Sequence, residues 1–105
     1  MSLLSEKIKK KAESQYKEGS DMDQEIVAKF FNPTGQGDWY LMNKDPKSGY
    51  CWGIVDLFAV EVGSFDIKEL EEISLPFGMK IERDEYFTPM KAKDLFEKLV
   101  KNKVH

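Results

Sequence analysis

The segment that most constrains the fold is the apolar run at positions 50–58, near the middle of the chain. In an extended conformation Tyr50, Trp52 and Ile54 project to one side, and Cys51 and Val55 project to the other. Because both sides are largely apolar, the run is typical of the central strand of a small sheet. The connections that flank it are short and polar, so the neighbouring strands are expected to pair with it antiparallel.

Further strands are predicted around this run. Residues 25–31 are rich in β-branched and aromatic types, residues 39–42 form a second strand, and residues 59–63 extend the sheet. An Asn-Pro pair and two glycines at 32–37 predict the turn between the first two strands. The pattern predicts a small antiparallel β-meander of three to five strands.

Helices are predicted at both ends of the chain and after the meander. Apolar residues at helical spacing indicate an amphipathic N-terminal helix at 4–17, with a stripe so narrow that loose packing is expected. Asp66 and Glu69 have capping-box spacing ahead of a short helix at 67–73. Thr88 is placed as the N-cap of a C-terminal helix at 89–102, with Pro89 as its first residue.

The fold class that follows is α+β, with the meander packed against the short central helix and the C-terminal helix, plus the N-terminal amphipathic helix. Residues 79–86 are predicted to be a strand or an extended segment. We divide the 105 residues into an N-terminal helix and linker at 1–24 and a single α+β domain at 25–105.

Composition favours a cytoplasmic protein that does not enter a membrane. The longest uninterrupted apolar run is only residues 57–60, which is too short for a membrane-spanning helix or a signal-peptide core. Cys51 is the only cysteine, so a disulfide framework is excluded and a reducing compartment is expected.

Several chemistries lack their residues. His105 is the only histidine and the last residue, so triads that use a histidine base and histidine-ligated zinc sites are disfavoured. Two alternatives stay open for His105 and for the first three residues: they belong to the natural sequence, or they were added to it. Gly35 and Gly37 precede a strand and lack the third glycine of a dinucleotide fingerprint. Cys51 is interpreted as a small buried side chain. We expect no cofactor and no metal.

The remaining polar candidates are acids and one guanidinium. Arg83 is the only arginine, and its planar donor fork suits a specific partner better than lysine does. Asp56 interrupts an apolar strand, where a carboxylate needs a partner. An ion pair from Arg83 to Asp56 or Glu61 is the favoured interpretation. Recognition of an anion or a partner is the alternative for Arg83, followed by catalysis. A separate hypothesis is that Asp56, Glu61, Glu82 and Asp84 converge as general acid/base groups or as oxygen ligands for Mg²⁺.

Two neighbouring aromatics complete the candidate binding surface. Trp39 and Tyr40 lie on opposite sides if they are in a strand, which allows one to be in the core and the other exposed. Packing in the core is the favoured interpretation of the aromatics, and an exposed aromatic face is the alternative. An exposed aromatic side chain beside acids is typical of a protein-binding surface. The candidate binding residues are therefore Trp39, Tyr40, Asp56, Glu61, Glu82, Arg83 and Asp84.

Charge is unevenly distributed along the chain. Residues 1–20 have five lysines against three acids, residues 88–105 have five lysines against two acids, and residues 21–87 have six bases against fourteen acids. The acidic centre disfavours nucleic acid and favours a basic protein partner. The lysine-rich terminal helices leave contact with nucleic acid open as an alternative.

Several short phrases occur in fixed order: KFFNP at 29–33, WY at 39–40, VDL at 55–57, PFG at 76–78 and IERD at 81–84. In this order the chain resembles a bacterial family of unknown function that is carried by plasmids, integrated conjugative elements and phages. The resemblance covers residues 25–89 and leaves the lysine-rich ends outside it. It implies a small accessory protein of a mobile element, with no established activity.

Three functional hypotheses result. The first is a non-enzymatic accessory protein that binds a protein partner through an acidic, aromatic-bearing surface, with a DNA-mimicking inhibitor as a narrower version that requires acids along one elongated face. The second is a small acid-based or metal-dependent hydrolase that uses Asp56, Glu61, Glu82, Arg83 and Asp84. The third is contact with nucleic acid through the terminal helices. Whether the protein is an enzyme stays open, with the non-enzymatic interpretation favoured.

Overall fold

The computed structural model describes residues 2–103. Within that range there are three helices and seven strands. The helices are α1 (Glu6–Ser14), α2 (Ile67–Glu72) and α3 (Ala92–Lys103). The strands are β1 (Glu25–Ile26), β2 (Ala28–Phe31), β3 (Asp38–Lys44), β4 (Tyr50–Asp56), β5 (Val60–Asp66), β6 (Glu82–Arg83) and β7 (Met90–Lys91).

Five of the strands form one antiparallel sheet in the order β5-β4-β3-β2-β6. Consecutive hairpins join β2 to β5, and β6 returns along the free side of β2. The predicted α+β fold with an antiparallel meander is confirmed. β4 lies inside the sheet, as its two apolar faces indicate, although the middle position belongs to β3. β1 and β7 form a separate two-stranded ribbon.

Helices cover both faces of the sheet. On the first face, α1 and α2 bury a cluster that includes Ala12, Phe30, Leu41, Cys51 and Leu70. We call this the α1/α2 face. On the opposite face, α3 buries a second cluster with Tyr40, Met42, Ile54, Ala92 and Leu95. We call this the α3 face. Alternation along β4 therefore sends Cys51 and Ile54 into two different cores.

The N-terminal helix docks more closely than its narrow stripe predicts. Ala12 is fully buried, which brings the helix backbone close to the sheet. Gln15 Nε2 donates hydrogen bonds to the carbonyl oxygens of Met42 (2.7 Å) and Glu25 (3.0 Å). The Lys44 ammonium lies 3.3 Å from the Glu13 carboxylate. The prediction of loose packing is wrong because polar anchors supplement a short apolar stripe.

The region after β5 differs from the predictions at one point and agrees at another. Asp66 caps α2 as predicted, with its carboxylate accepting from the Lys68 N–H at 2.8 Å. Thr88, however, does not cap α3, since β7 intervenes and α3 begins at Ala92. The first two N–H groups of α3 donate instead to the carbonyls of Gln24 (2.9 Å) and Met22 (3.0 Å). Tertiary acceptors thus replace a local cap.

The extended segment predicted at 79–86 contains only the two-residue strand β6. Among the helices of residues 2–103, none combines the length and the apolar character that crossing a membrane requires.

Candidate functional site

The strand β6 forms one outer edge of the sheet and carries the most distinctive charged residues. Glu82 pairs with Phe31, Arg83 pairs with Phe30, and the Asp84 N–H donates to the Lys29 carbonyl at 2.9 Å. In an antiparallel pair the residues alternate between facing the neighbour and facing away. Because Asp84 bonds to β2, the backbone groups of Arg83 point away from the sheet, on the side where another chain can pair with them.

The Arg83 side chain fastens the N-terminal segment to this edge. Its Nη1 donates to the Leu3 carbonyl at 2.5 Å, and its Nη2 lies 3.8 Å from a Glu85 carboxylate oxygen. The Leu3 N–H in turn donates to Glu71 at 2.8 Å. Arg83 therefore has a structural role, but its partners are a backbone carbonyl and a neighbouring acid and not the acids that the sequence analysis proposed.

The predicted ion pair between Arg83 and Asp56 or Glu61 is wrong. Three strand spacings separate β6 from β4, which amounts to about 14 Å, and Glu61 lies one strand further away. Glu82 does lie on the same face and in the same row of the sheet as Asp56, but the same spacing keeps their carboxylates apart. The five residues of the hydrolase hypothesis do not meet in one cleft.

An open groove runs beside β6. It has a volume of about 760 Å³ and is bounded by the N-terminal segment, Phe31, Glu71 and residues 80–86. Four acids line it against two bases, and one of those bases, Arg83, is already engaged. The acids are Glu71, Glu82, Asp84 and Glu85. We call this feature the β6 groove, and its net charge favours a cationic occupant.

A tight turn presents an aromatic side chain at the end of the β6 groove. The Asp84 carboxylate accepts from the Tyr86 N–H at 2.9 Å, and the Phe87 N–H donates to the Asp84 carbonyl at 3.3 Å. These bonds hold the backbone while the Tyr86 side chain stays 96% exposed. An exposed tyrosine on a fixed turn beside an acidic groove is typical of a binding surface.

The groove and the strands that carry it lie inside one family match. A family model described as "Protein of unknown function (DUF2958)" matches residues 2–102. The chain belongs to this family. The expectation that the lysine-rich ends lie outside the family is wrong, because α1 and nearly all of α3 are inside the match. No curated protein and no solved structure matches the chain.

A second polar cluster of this DUF2958 protein lies on the α3 face. Asp56 is directly opposite Asp38 in the register of β3 and β4. Asp56 is 9% exposed, and the Lys103 ammonium lies 3.0 Å from its Oδ1, although without hydrogen-bond geometry. Burial raises the pKa of Asp38 and the Asp56 charge raises it further, whereas Lys29 and Lys103 lower it. Asp56 therefore forms an ion pair with Lys103 at the end of α3.

Trp39 and Tyr40 are both buried, which agrees with the favoured interpretation of core packing. The alternative that one of them is an exposed binding residue is wrong. Trp39 packs in the core of the α1/α2 face, and Tyr40 packs in the core of the α3 face. The Tyr40 ring centroid is 6.1 Å from the Phe87 ring centroid. The Lys29 ammonium lies 5.6 Å from the Tyr40 ring centroid. Burial first, and nearby acids second, raise the pKa of the Tyr40 phenol. Because helices cover both faces of the sheet, neither side chain can contact a partner.

The exposed aromatics are ones that sequence reasoning did not select. Tyr86, Phe58 and Phe77 are each at least 96% exposed. Phe77 also has a φ of 62°, a left-handed conformation that a bulky side chain rarely adopts. A signal was available for Tyr86, which follows Glu85, and for Phe77, which precedes Gly78. Phe58 lies between Leu57 and Ala59 and had no such signal.

The described residues offer little support for a metal-dependent or thiol-dependent reaction. Within residues 2–103 no three of the histidine, cysteine and acidic side chains lie close enough to hold a metal ion together. Burial raises the pKa of the Cys51 thiol to about 12, so it is not an activated nucleophile. The lysines of α1 and α3 lie on opposite faces of the sheet and so do not form one basic surface.

Proposed function

We propose that this protein is a non-enzymatic binding protein that takes an extended, basic segment of a protein partner in the β6 groove. The observation that carries the proposal is the combination, in one place, of an acidic lining and an unpaired strand edge. An extended peptide can add to a sheet edge through backbone hydrogen bonds, with side-chain contacts that set specificity.

Each part of the groove has a role in this proposal. The outward backbone groups of Arg83 pair with the peptide backbone. Glu82 and Glu71 attract basic side chains, and Tyr86 covers the peptide at the end of the groove. The flat outline of the molecule, 40 × 38 × 22 Å, has two nearly equal long dimensions, so it does not favour the DNA-mimicking version. An accessory role in a mobile element and a cytoplasmic location belong to the same proposal and rest on the sequence alone.

The test uses a short fluorescein-labelled peptide of alternating lysine and valine, with fluorescence anisotropy as the measurement. We expect saturable binding that weakens with salt, and no binding of the matching peptide in which glutamate replaces lysine. Glu82→Lys should weaken binding by about 10-fold, because it reverses a charge in the lining. Glu97→Lys, the same exchange on the exposed side of α3, is the matched control.

Aromatic contact is tested separately. Tyr86→Ser should weaken binding by about 10-fold, whereas Phe58→Ser removes an equally exposed ring far from the groove and should change nothing. Equal binding of the two peptides, or equal effects of Glu82→Lys and Glu97→Lys, would rule out the groove as the binding site.

A further inference from the structure

The second edge of the sheet is a long strand with an unpaired side. β5 pairs with β4 over seven consecutive residues, and within residues 2–103 its other side has no backbone partner. The Ile67 N–H donates to the Gly49 carbonyl, which identifies that pair as hydrogen-bonded. By alternation Glu61, Gly63 and Phe65 also bond to β4. The backbone groups of Val60, Val62, Ser64 and Asp66 therefore point outward.

This edge has few of the features that protect edge strands. Proteins block free edges with charged side chains, especially lysine, and with proline, bulges or very short strands. The sequence of β5, Val-Glu-Val-Gly-Ser-Phe-Asp, contains neither lysine nor proline, and its register with β4 is unbroken. A seven-residue edge with these properties presents unpaired N–H and C=O groups to which another strand can bind.

We propose that the partner is a second copy of this chain, paired antiparallel through β5 about a two-fold axis at Gly63. In that register Val62 faces Ser64 of the second copy, and Val60 faces Asp66 of the second copy. All four outward residues then lie opposite outward residues. Because the carbonyl of Asp66 already accepts the first hydrogen bond of α2 in each copy, the pairing allows about six backbone hydrogen bonds. A shift by one residue sets outward groups against inward ones, and a shift by two shortens the ladder.

The side chains are compatible with this self-pairing. Glu61 faces Phe65 of the second copy and Gly63 faces Gly63, so no acid lies opposite another acid. The space above Gly63 is open, with no atom within 4 Å of the position that a β-carbon would take. The result is a continuous ten-stranded sheet, built from the two five-stranded sheets, with the closed two-fold symmetry that is common in homodimers.

Sedimentation equilibrium of the full chain between about 1 and about 200 µM tests the dimer. We expect a shift from the 12.2 kDa monomer toward twice that mass. Ser64→Pro removes an outward N–H without removing a bond to β4, so it should weaken dimerisation by about 10-fold or more. Ser64→Ala keeps the N–H and should dimerise like the natural chain. Circular dichroism of both variants checks the fold.

Amide hydrogen exchange gives an independent measurement on the unmodified protein. The N–H groups of Val62 and Ser64 should be protected only at high protein concentration, whereas that of Gly63 should be protected at all concentrations. A chain that stays monomeric over the whole range overturns the proposal. So does a dimer in which Val62 and Ser64 exchange freely, or one that Ser64→Pro leaves intact.

Discussion

Replacing Gly53 by alanine is expected to damage the sheet severely. Gly53 lies in β4 with its missing side chain directed at the α1/α2 face. A β-carbon there would overlap the backbone carbonyl oxygen of Tyr40 and would lie 2.9 Å from the Phe65 ring. The carbonyl belongs to the neighbouring strand β3 and cannot rotate away, so the two strands must separate locally.

The magnitude follows from three contributions. Overpacking costs about 1–3 kcal/mol, and the loss of one β3–β4 hydrogen bond costs about 1 kcal/mol more. Alanine recovers about 0.5–1 kcal/mol because it restricts the unfolded chain more than glycine does. We expect a net loss of about 1–3.5 kcal/mol in the free energy of unfolding, and a Tm lower by about 5–25 °C.

The matched control is Gly63→Ala, because Gly63 is the register partner of Gly53 on the next strand. Its β-carbon would enter open space, so stability should stay the same or rise by up to about 1 kcal/mol. Urea unfolding followed by circular dichroism measures both variants. A loss below about 1 kcal/mol for Gly53→Ala, or equal losses for the two glycines, would refute the close-approach argument.

Three further predictions concern titratable and charged groups. The pKa of Asp38 is raised in the folded protein, so its ionised form opposes folding above that pKa. This penalty disappears as pH falls through the pKa. Asp38→Asn should therefore stabilise the protein by about 0.5 kcal/mol near neutral pH and leave its stability unchanged in acid. A gain of the same size in urea titrations at both pH values would contradict this. Lys103→Met should lose about 1–2 kcal/mol, since it leaves the Asp56 carboxylate buried without its cation. Lys101→Met, an exposed lysine of the same helix, should lose almost nothing, and equal losses in urea unfolding would exclude the ion pair. Cys51 should react with a thiol reagent about 100-fold more slowly in the folded than in the unfolded protein, and equal rates would show that the thiol is accessible.

Local patterns predicted most of the sheet and one helix start. The two-sided apolar run became β4, the glycine-containing turn at 32–37 joins β2 to β3, and Asp66 caps α2 as its spacing indicates. These features depend on residues that are close in sequence, so the pattern contains the information. The prediction that Thr88 caps α3 failed because the groups that accept from the first N–H groups of α3 are distant in sequence. They are carbonyls of the loop before β1.

The candidate site was predictable only in part. The IERD phrase does lie at an exposed edge, but the partner of Arg83 is the Leu3 carbonyl, eighty positions away. No spacing rule identifies a backbone carbonyl at that distance. Trp39 and Tyr40 were wrongly included among the candidate binding residues because alternation shows that they face opposite ways, not that a helix covers each face. Tyr86 was missed because exposure of a turn residue depends on what the tertiary fold leaves uncovered.

The two proposed surfaces lie at opposite edges of one sheet, and this arrangement has a consequence for binding. A dimer through β5 places one β6 groove at each end of the ten-stranded sheet, about 40 Å apart along nine strand spacings. Linking two lysine–valine peptides by a flexible spacer of matching length should therefore raise the apparent affinity by about 100-fold for the natural chain. The Ser64→Pro variant keeps both the fold and the groove but not the dimer, so it should bind the linked and the single peptide with nearly equal affinity. If the linked peptide gains equally on both proteins, the second site does not come from β5 pairing, and the two surfaces are not coupled through the sheet.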